Sequence, residues 1–276
     1  MFGLDDIILT ALNEDIGTGD ITSISTIPEN KMAEGRFIAK ECGVICGIDI
    51  VERTFKLIDN ITTVKFFFKD GDTVEKGDII AEVTGKARSL LTAERVSLNF
   101  LQHLSGIATR THFAAKQIEG YKAKIADTRK TTPGLRVLEK QAVKTGGGVN
   151  HRFNLADGVL IKDNHIVAAG GIKNAVESAR KNAPHTLKIE VEVENFDMLR
   201  EALDAGADII MLDNMSNEDM AKAVKIIDGR AITEASGNMG EKSLEDVAAT
   251  GVDLISIGAL THSVKAMDIS LKFKIV

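Results

Sequence analysis

Arg129, Lys130, Arg152 and Lys162, with His151 beside Arg152, gather cations into the middle of the chain. An arginine fork binds carboxylate or phosphate through two parallel hydrogen bonds, whereas a lysine is a mobile point charge. A group of this kind suits a ligand carrying several negative charges. Solvated loop residues are the ordinary alternative for any one of them. Lys162 is harder to dismiss, because it ends an apolar run, GVLIK, and is expected to point across the mouth of a sheet.

Glu192 and Asp213 stand at the ends of two further, adjacent strand-like runs and offer hard oxygen ligands. Magnesium commonly takes one or two carboxylates and completes its shell with water and substrate phosphates. Ion pairs with the neighbouring lysines are the competing reading. Glu190 and Glu194 share a face with Glu192 by the two-residue period of a strand. Ser236-Gly237 and Gly258-Ala259 fit phosphate binding, since glycine lets the backbone N–H groups approach an anion closely. The Gly146-Gly147-Gly148 run is read as a hinge or hairpin. His103, His112 and His185 have no partner at metal-ligand spacing, and His262, just after the last apolar run, could flank a phosphate but gains no role.

These residues need a frame that brings them to one rim. Short apolar runs, Lys124–Asp127, Gly158–Ile161, Leu187–Val193, Asp208–Leu212, Ala231–Glu234 and Leu254–Ile257, alternate with amphipathic stretches such as Asn164–Asn182, Phe196–Ala205 and Asn217–Asp228. Repeated βα units predict a parallel sheet, whose ligands collect at the carboxyl ends of the strands. Six strands fall short of an eight-stranded barrel, so an incomplete barrel is expected. An open doubly wound sheet competes, but no G-x-G-x-x-G follows the first strand.

Before this repeat, helices are expected at Leu4–Glu14 and Ile48–Ile58, and strands at Glu34–Cys42 and Thr62–Lys69. A long helix is expected from Leu91 to Glu119, capped by Thr92 and carrying Arg95. The segment KDGDTVEKGDIIAEVTG resembles half of the hammerhead sheet of lipoyl or biotinyl carriers. It leads directly into that long helix, so a sheet packed beside the next domain is the better reading.

Composition narrows the function. The chain is 44% hydrophobic and 27% charged, with a net charge of −6, no Trp and one Tyr, which argues against bulk nucleic-acid binding. No apolar run spans a bilayer and the start lacks a basic flank, so a cytoplasmic protein with no membrane partner is expected. Cys42 and Cys46 are too few for a disulfide framework or a zinc site.

The blocks ALNEDIGTGDITS, LTAERVSLNFLQHLSGIAT, ADTRKTTPGLRVLEKQAVKTGGGVNHRFNLADGVLIKDNHI, EVEVEN, IIMLDN, EASGNM and DLISIGALTHS occur in order over nearly the whole chain. Together they resemble the quinolinate phosphoribosyltransferases. The resemblance implies an N-terminal open-faced α/β sandwich over residues 1–105 and a C-terminal barrel of fewer than eight strands over 106–276, the last residues packing back on the first domain. It implies magnesium, and transfer of the phosphoribosyl group of phosphoribosyl pyrophosphate to quinolinate with decarboxylation. It also implies a homodimer with a shared active site, assembly beyond the dimer staying open. Arg95, Arg129, His151, Arg152 and Lys162 would hold the quinolinate carboxylates, with Lys130 between the substrates. Glu192 and Asp213 would bind magnesium or the ribose, and Ser236, Gly237 and Gly258 the 5-phosphate. A same-fold relative acting on another aromatic acid is the nearest rival, and a non-catalytic phosphate-binding or carrier protein the rival from another class.

Overall fold

The computed structural model describes residues 3–275, which divide into two compact units: residues 3–112, 132–146 and 263–275, and residues 113–131 and 147–262. The elements of the amino-terminal stretch are α1 (Leu4–Ile16), α2 (Ile21–Thr26), β1 (Met32–Ala39), β2 (Gly43–Val44), α3 (Ile48–Ile58), β3 (Thr63–Phe66), β4 (Thr73–Val74), β5 (Ile79–Lys86) and α4 (Ala87–Gln117). There follow β6 (Lys124–Ala126), α5 (Arg136–Thr145), β7 (Val159–Ile161), α6 (Asp163–Ala169), α7 (Ile172–Asn182), β8 (Ile189–Val193) and α8 (Phe196–Asp204). The chain closes with β9 (Ile209–Asp213), α9 (Asn217–Ile227), β10 (Ile232–Ser236), α10 (Leu244–Ala248), β11 (Leu254–Ser256), α11 (Ala259–His262) and β12 (Ile269–Ile275).

In the first unit, residues alternate between exposed and buried along β1, so Ala33, Phe37 and Ala39 face one core. The sheet runs β12-β1-β5-β3 with antiparallel pairing throughout. Gly35 is demanded by packing, because a Cβ there would lie 3.0 Å from Leu271, Phe273 and Val83. α3 covers the sheet with Ile48, Val51 and Phe55, and Phe55 meets Phe37 edge-to-face at 6.1 Å. Asp70 accepts from the Gly47 and Ile48 N–H groups and so caps that helix.

Three local expectations change. The long helix begins at Ala87, so Thr92 lies inside it and donates to Asp20 rather than capping the start. The stretch Asn164–Asn182 splits into α6 and α7, because Gly170 and Gly171 take φ values of 78° and 130° that side chains rarely adopt. Helix α5 was not foreseen. Glu139 and Lys140 are fully buried on it, which hides the amphipathic period. The Glu139 carboxylate instead joins His103 Nε2 at 2.8 Å and the Thr132 N–H at 3.0 Å. The first residue of the triple glycine is packed tightly. A Cβ on Gly146 would sit 2.3 Å from the Ala108 carbonyl oxygen, so the residue permits close packing of α5.

In the second unit, six parallel strands run β6-β11-β10-β9-β8-β7. No pairing joins β7 to β6 among the described residues, so the barrel is incomplete as expected. Each of α8 and α9 is started by a polar cap, Asn195 and Ser216, accepting from the first-turn N–H groups.

Candidate active site

At the carboxyl ends of strands of the second unit lies a cavity of about 320 Å³, lined by Thr128, Arg129, Lys130, His151, Arg152, Leu160, Lys162, Met211, Glu234 and Ser236. Its volume is that of a pocket for a small molecule. The loop after β6 supplies Arg129 and Lys130. Lys130 is fixed by its own backbone, its N–H donating to Thr128 Oγ1 at 3.0 Å and its carbonyl accepting from Thr261 Oγ1 at 2.8 Å. A Cβ on Gly258 would come within 3.1 Å of the Lys130 side chain, so Gly258 makes room for that lysine.

Arg129 Nε and Arg152 Nε are both buried without a hydrogen-bond partner. Burial first, and then the charge of Arg129, push the Arg152 guanidinium below its usual range. Two guanidinium groups with spare donors, each opposing the other's charge, make a place where an anion is favoured. Arg152 is held by a bond from Nη1 to the Gly158 carbonyl at 2.9 Å.

Lys162 stands just beyond β7, and its ammonium forms an ion pair with Glu192 on β8. The Lys162 N–H donates to His165 Nδ1 at 3.0 Å. Asp213 ends β9 and is level with Ser236 across the parallel pair. Its Oδ2 accepts from Asn214 Nδ2 at 2.7 Å. Gly237 has φ 92°, and a Cβ there would lie 2.2 Å from Asn214 Oδ1, so the loops after β9 and β10 interlock. Glu192 and Asp213 are half-buried hard oxygen donors on neighbouring strands. With one already paired to a lysine, they fit a magnesium ion that takes most of its shell from phosphates and water.

Glu192, Asp213, Gly237 and Gly258 sit at the strand ends without lining the cavity, and Arg95 does not line it either, being exposed on α4 in the first unit. Glu194 also stays apart, exposed beyond the end of β8.

One cluster went unread in the sequence. His151, Glu190 and Glu234 bring a potential ligand atom each to within 4.8 Å of one another. His151 Nε2 lies 3.0 Å from Glu190 Oε2 and 3.7 Å from Glu234 Oε1. Burial first, and then the charge of Glu190, raise the Glu234 carboxyl to about 7. A signal existed: Glu190 lies two residues before Glu192, and Glu234 two before Ser236, so each shares a face with a residue already assigned to the rim.

Comparison with known proteins agrees with this geometry. Residues 20–105 match the family of the quinolinate phosphoribosyl transferase N-terminal domain, and residues 107–272 that of its C-terminal domain. The chain is 50% identical to a probable nicotinate-nucleotide pyrophosphorylase (carboxylating) of Bacillus subtilis over 94% of its own length and 89% of that protein. It is 47% identical to the corresponding probable enzyme of Methanocaldococcus jannaschii, over 96% of this chain and 95% of that one. The crystal structure of NadC from Streptococcus pyogenes superposes with a TM-score of 0.94 at 44% identity, covering 100% of this chain and 98% of the other. Sequence, fold and cavity point the same way: the chain belongs to the quinolinate phosphoribosyltransferase family.

Proposed function

We propose that the protein transfers the phosphoribosyl group of phosphoribosyl pyrophosphate to the ring nitrogen of quinolinate and releases pyrophosphate and carbon dioxide, giving nicotinate mononucleotide. The observation that carries this reading is the pair of half-buried arginines, Arg129 and Arg152, each with a buried Nε that has no hydrogen-bond partner, lining a cavity that also holds Lys130 and Lys162. Two ring carboxylates call for such a set. A monocarboxylic acid would leave part of the cationic charge unmatched, which disfavours the same-fold rival.

In the proposed reaction the C1–oxygen bond to pyrophosphate breaks and the electron pair leaves with the pyrophosphate. Lys130, already fixed at its backbone, offers its ammonium to the charge that develops there. Magnesium carried in on the phosphates, next to Glu192 and Asp213, would supply further neutralisation of their oxygens. The quinolinate nitrogen then bonds to C1, a step eased by holding both partners in line. The resulting pyridinium withdraws electrons, so the C2 carboxylate leaves as carbon dioxide and C2 takes a proton. Ser236, Gly237 and Gly258 at the ends of β10 and β11 would receive the 5-phosphate.

Arg95 acts, in this proposal, from a second copy of the chain in a homodimer. Two features support that: Arg95 does not line the cavity, and the open side of the sheet near β7 exposes Leu155 and Val167 at 72% and 81%. No helix among the described residues is long and apolar enough to cross a membrane.

The test is product analysis with quinolinate, phosphoribosyl pyrophosphate and magnesium. Nicotinate mononucleotide and carbon dioxide in equal amounts, both lost on adding chelator, support the reading. A folded sample that leaves quinolinate untouched but consumes another aromatic acid would transfer the assignment to the rival.

A further inference from the structure

In and beside the cavity wall lie buried polar groups that the proposed chemistry does not use. Glu190 and Glu234 are 4% and 1% exposed, on β8 and β10. Ser256 Oγ on β11 donates to Glu234, while Glu190 Oε1 and Glu234 Oε2 are buried without a hydrogen-bond partner. Buried carboxylates with unsatisfied oxygens cost stability, so their position needs another explanation.

The explanation lies in how His151 is held. The Arg152 backbone N–H donates to His151 Nδ1 at 2.8 Å. An amide nitrogen can only donate, so Nδ1 presents its lone pair and the ring proton resides on Nε2, aimed at Glu190 Oε2. The His151 backbone N–H donates in turn to Asp127 Oδ1 at 2.9 Å. The same lone pair weighs against a metal ion at this trio. An ion on Nε2 would have to strip the second ring proton while Nδ1 still accepts from the amide.

We propose that Glu190 and Glu234 are positioning residues: they hold His151 as its neutral Nε2–H tautomer, and that ring, instead of holding a substrate carboxylate itself, fixes the Arg152 backbone so that its guanidinium meets the substrate. A charged imidazolium would set an Nδ1–H donor against the Arg152 N–H donor and break the contact. Two ionised carboxylates beside Nε2 would favour that imidazolium. Burial raises the Glu234 carboxyl, which lessens that pull. The inference rests on reading the cavity as the quinolinate site, though the tautomer itself does not.

The experiment is nitrogen-15 NMR of the whole protein with labelled histidine, the His151 signals being those lost in His151→Gln. The expected pattern is a neutral ring protonated at Nε2 near pH 7. An imidazolium, or a ring protonated at Nδ1, overturns the proposal. Glu190→Ala should weaken quinolinate binding about tenfold, the loss of one hydrogen bond to a buried partner, and disturb the tautomer. KM for phosphoribosyl pyrophosphate should change by less than about twofold, because its groups lie elsewhere on the rim. Glu190→Gln, whose amide oxygen can accept from Nε2–H, should recover most of that affinity. Unchanged quinolinate affinity in Glu190→Ala contradicts the proposal. Where that variant fails to fold, the wild-type tautomer and Glu190→Gln still decide. A wild-type protein with the expected tautomer that binds no quinolinate would count against the function alone.

Discussion

The sheets of the two units bury different kinds of interior, although the first unit also hides Glu139 and Lys140 on α5. In the first, Phe37, Phe55, Ile80 and Val83 close an apolar core between sheet and helix. In the second, the sheet buries Asp127, Glu190, Thr233, Glu234 and Ser256 among its aliphatic residues. An apolar interior gains free energy from every group it removes from water. A charged interior gains only what its hydrogen bonds return, and two of these carboxylate oxygens have none. One interior is built for stability. The other gives up stability to fix the side chains that meet the substrates, as is expected of functional sites.

The contrast is open to attack, the largest effect first. Phe55→Ala should cost about 3–5 kcal/mol of folding free energy, the usual loss for a buried aromatic ring. Denaturant unfolding would register it, while KM for quinolinate in the remaining folded enzyme should stay unchanged. A strong KM effect would erase the division of labour. In the other unit, Lys130→Ala should lower kcat by about 10² to 10³, comparable with removal of an oxyanion donor, and leave the melting temperature nearly constant. Near-normal turnover would remove Lys130 from the chemistry.

A smaller effect concerns pH. The Glu234 carboxyl is raised to about 7 in the folded chain, above its ordinary value of 4.5. The folded state therefore binds more protons than the unfolded state between those values. Its contribution to stability is present below the lower value and is lost as pH rises toward the upper one. The slope from this group is at most about 1.4 kcal/mol per pH unit. Glu234→Gln should flatten that part of the stability profile, and an unaltered profile would show that the group does not titrate there. The subtlest test mixes Arg95→Ala chains with Lys162→Ala chains. Partial recovery of activity in the mixed dimers would support a site completed across subunits, and mixed dimers that form yet stay inactive would contradict it.

Much of this was legible in the sequence. The βα rhythm marked all six parallel strands, and reading past their ends found the cations because strand ends share one rim. The helix at Ile48–Ile58 was readable to the residue, its apolar side chains repeating at helical spacing. Helix α5 was not, since buried Glu139 and Lys140 look like surface charges in a one-dimensional pattern. Nor was the His151 cluster. Which carboxylates meet that ring depends on the stagger between β8, β9 and β10, where Glu192 and Glu234 are both level with Met211 while Glu190 is level with Ile209. Spacing along one chain carries no record of that stagger.

The central claim is that the cavity of the second unit is built for an aromatic dianion. Calorimetric titration of the wild-type protein with quinolinate, and separately with nicotinate, addresses it most directly. The account expects quinolinate to bind at least about tenfold more tightly, with affinity that falls as salt screens the partly exposed cations. It also expects Arg152→Ala to abolish the difference. Equal affinity for the two acids, or a preference for nicotinate, would contradict it.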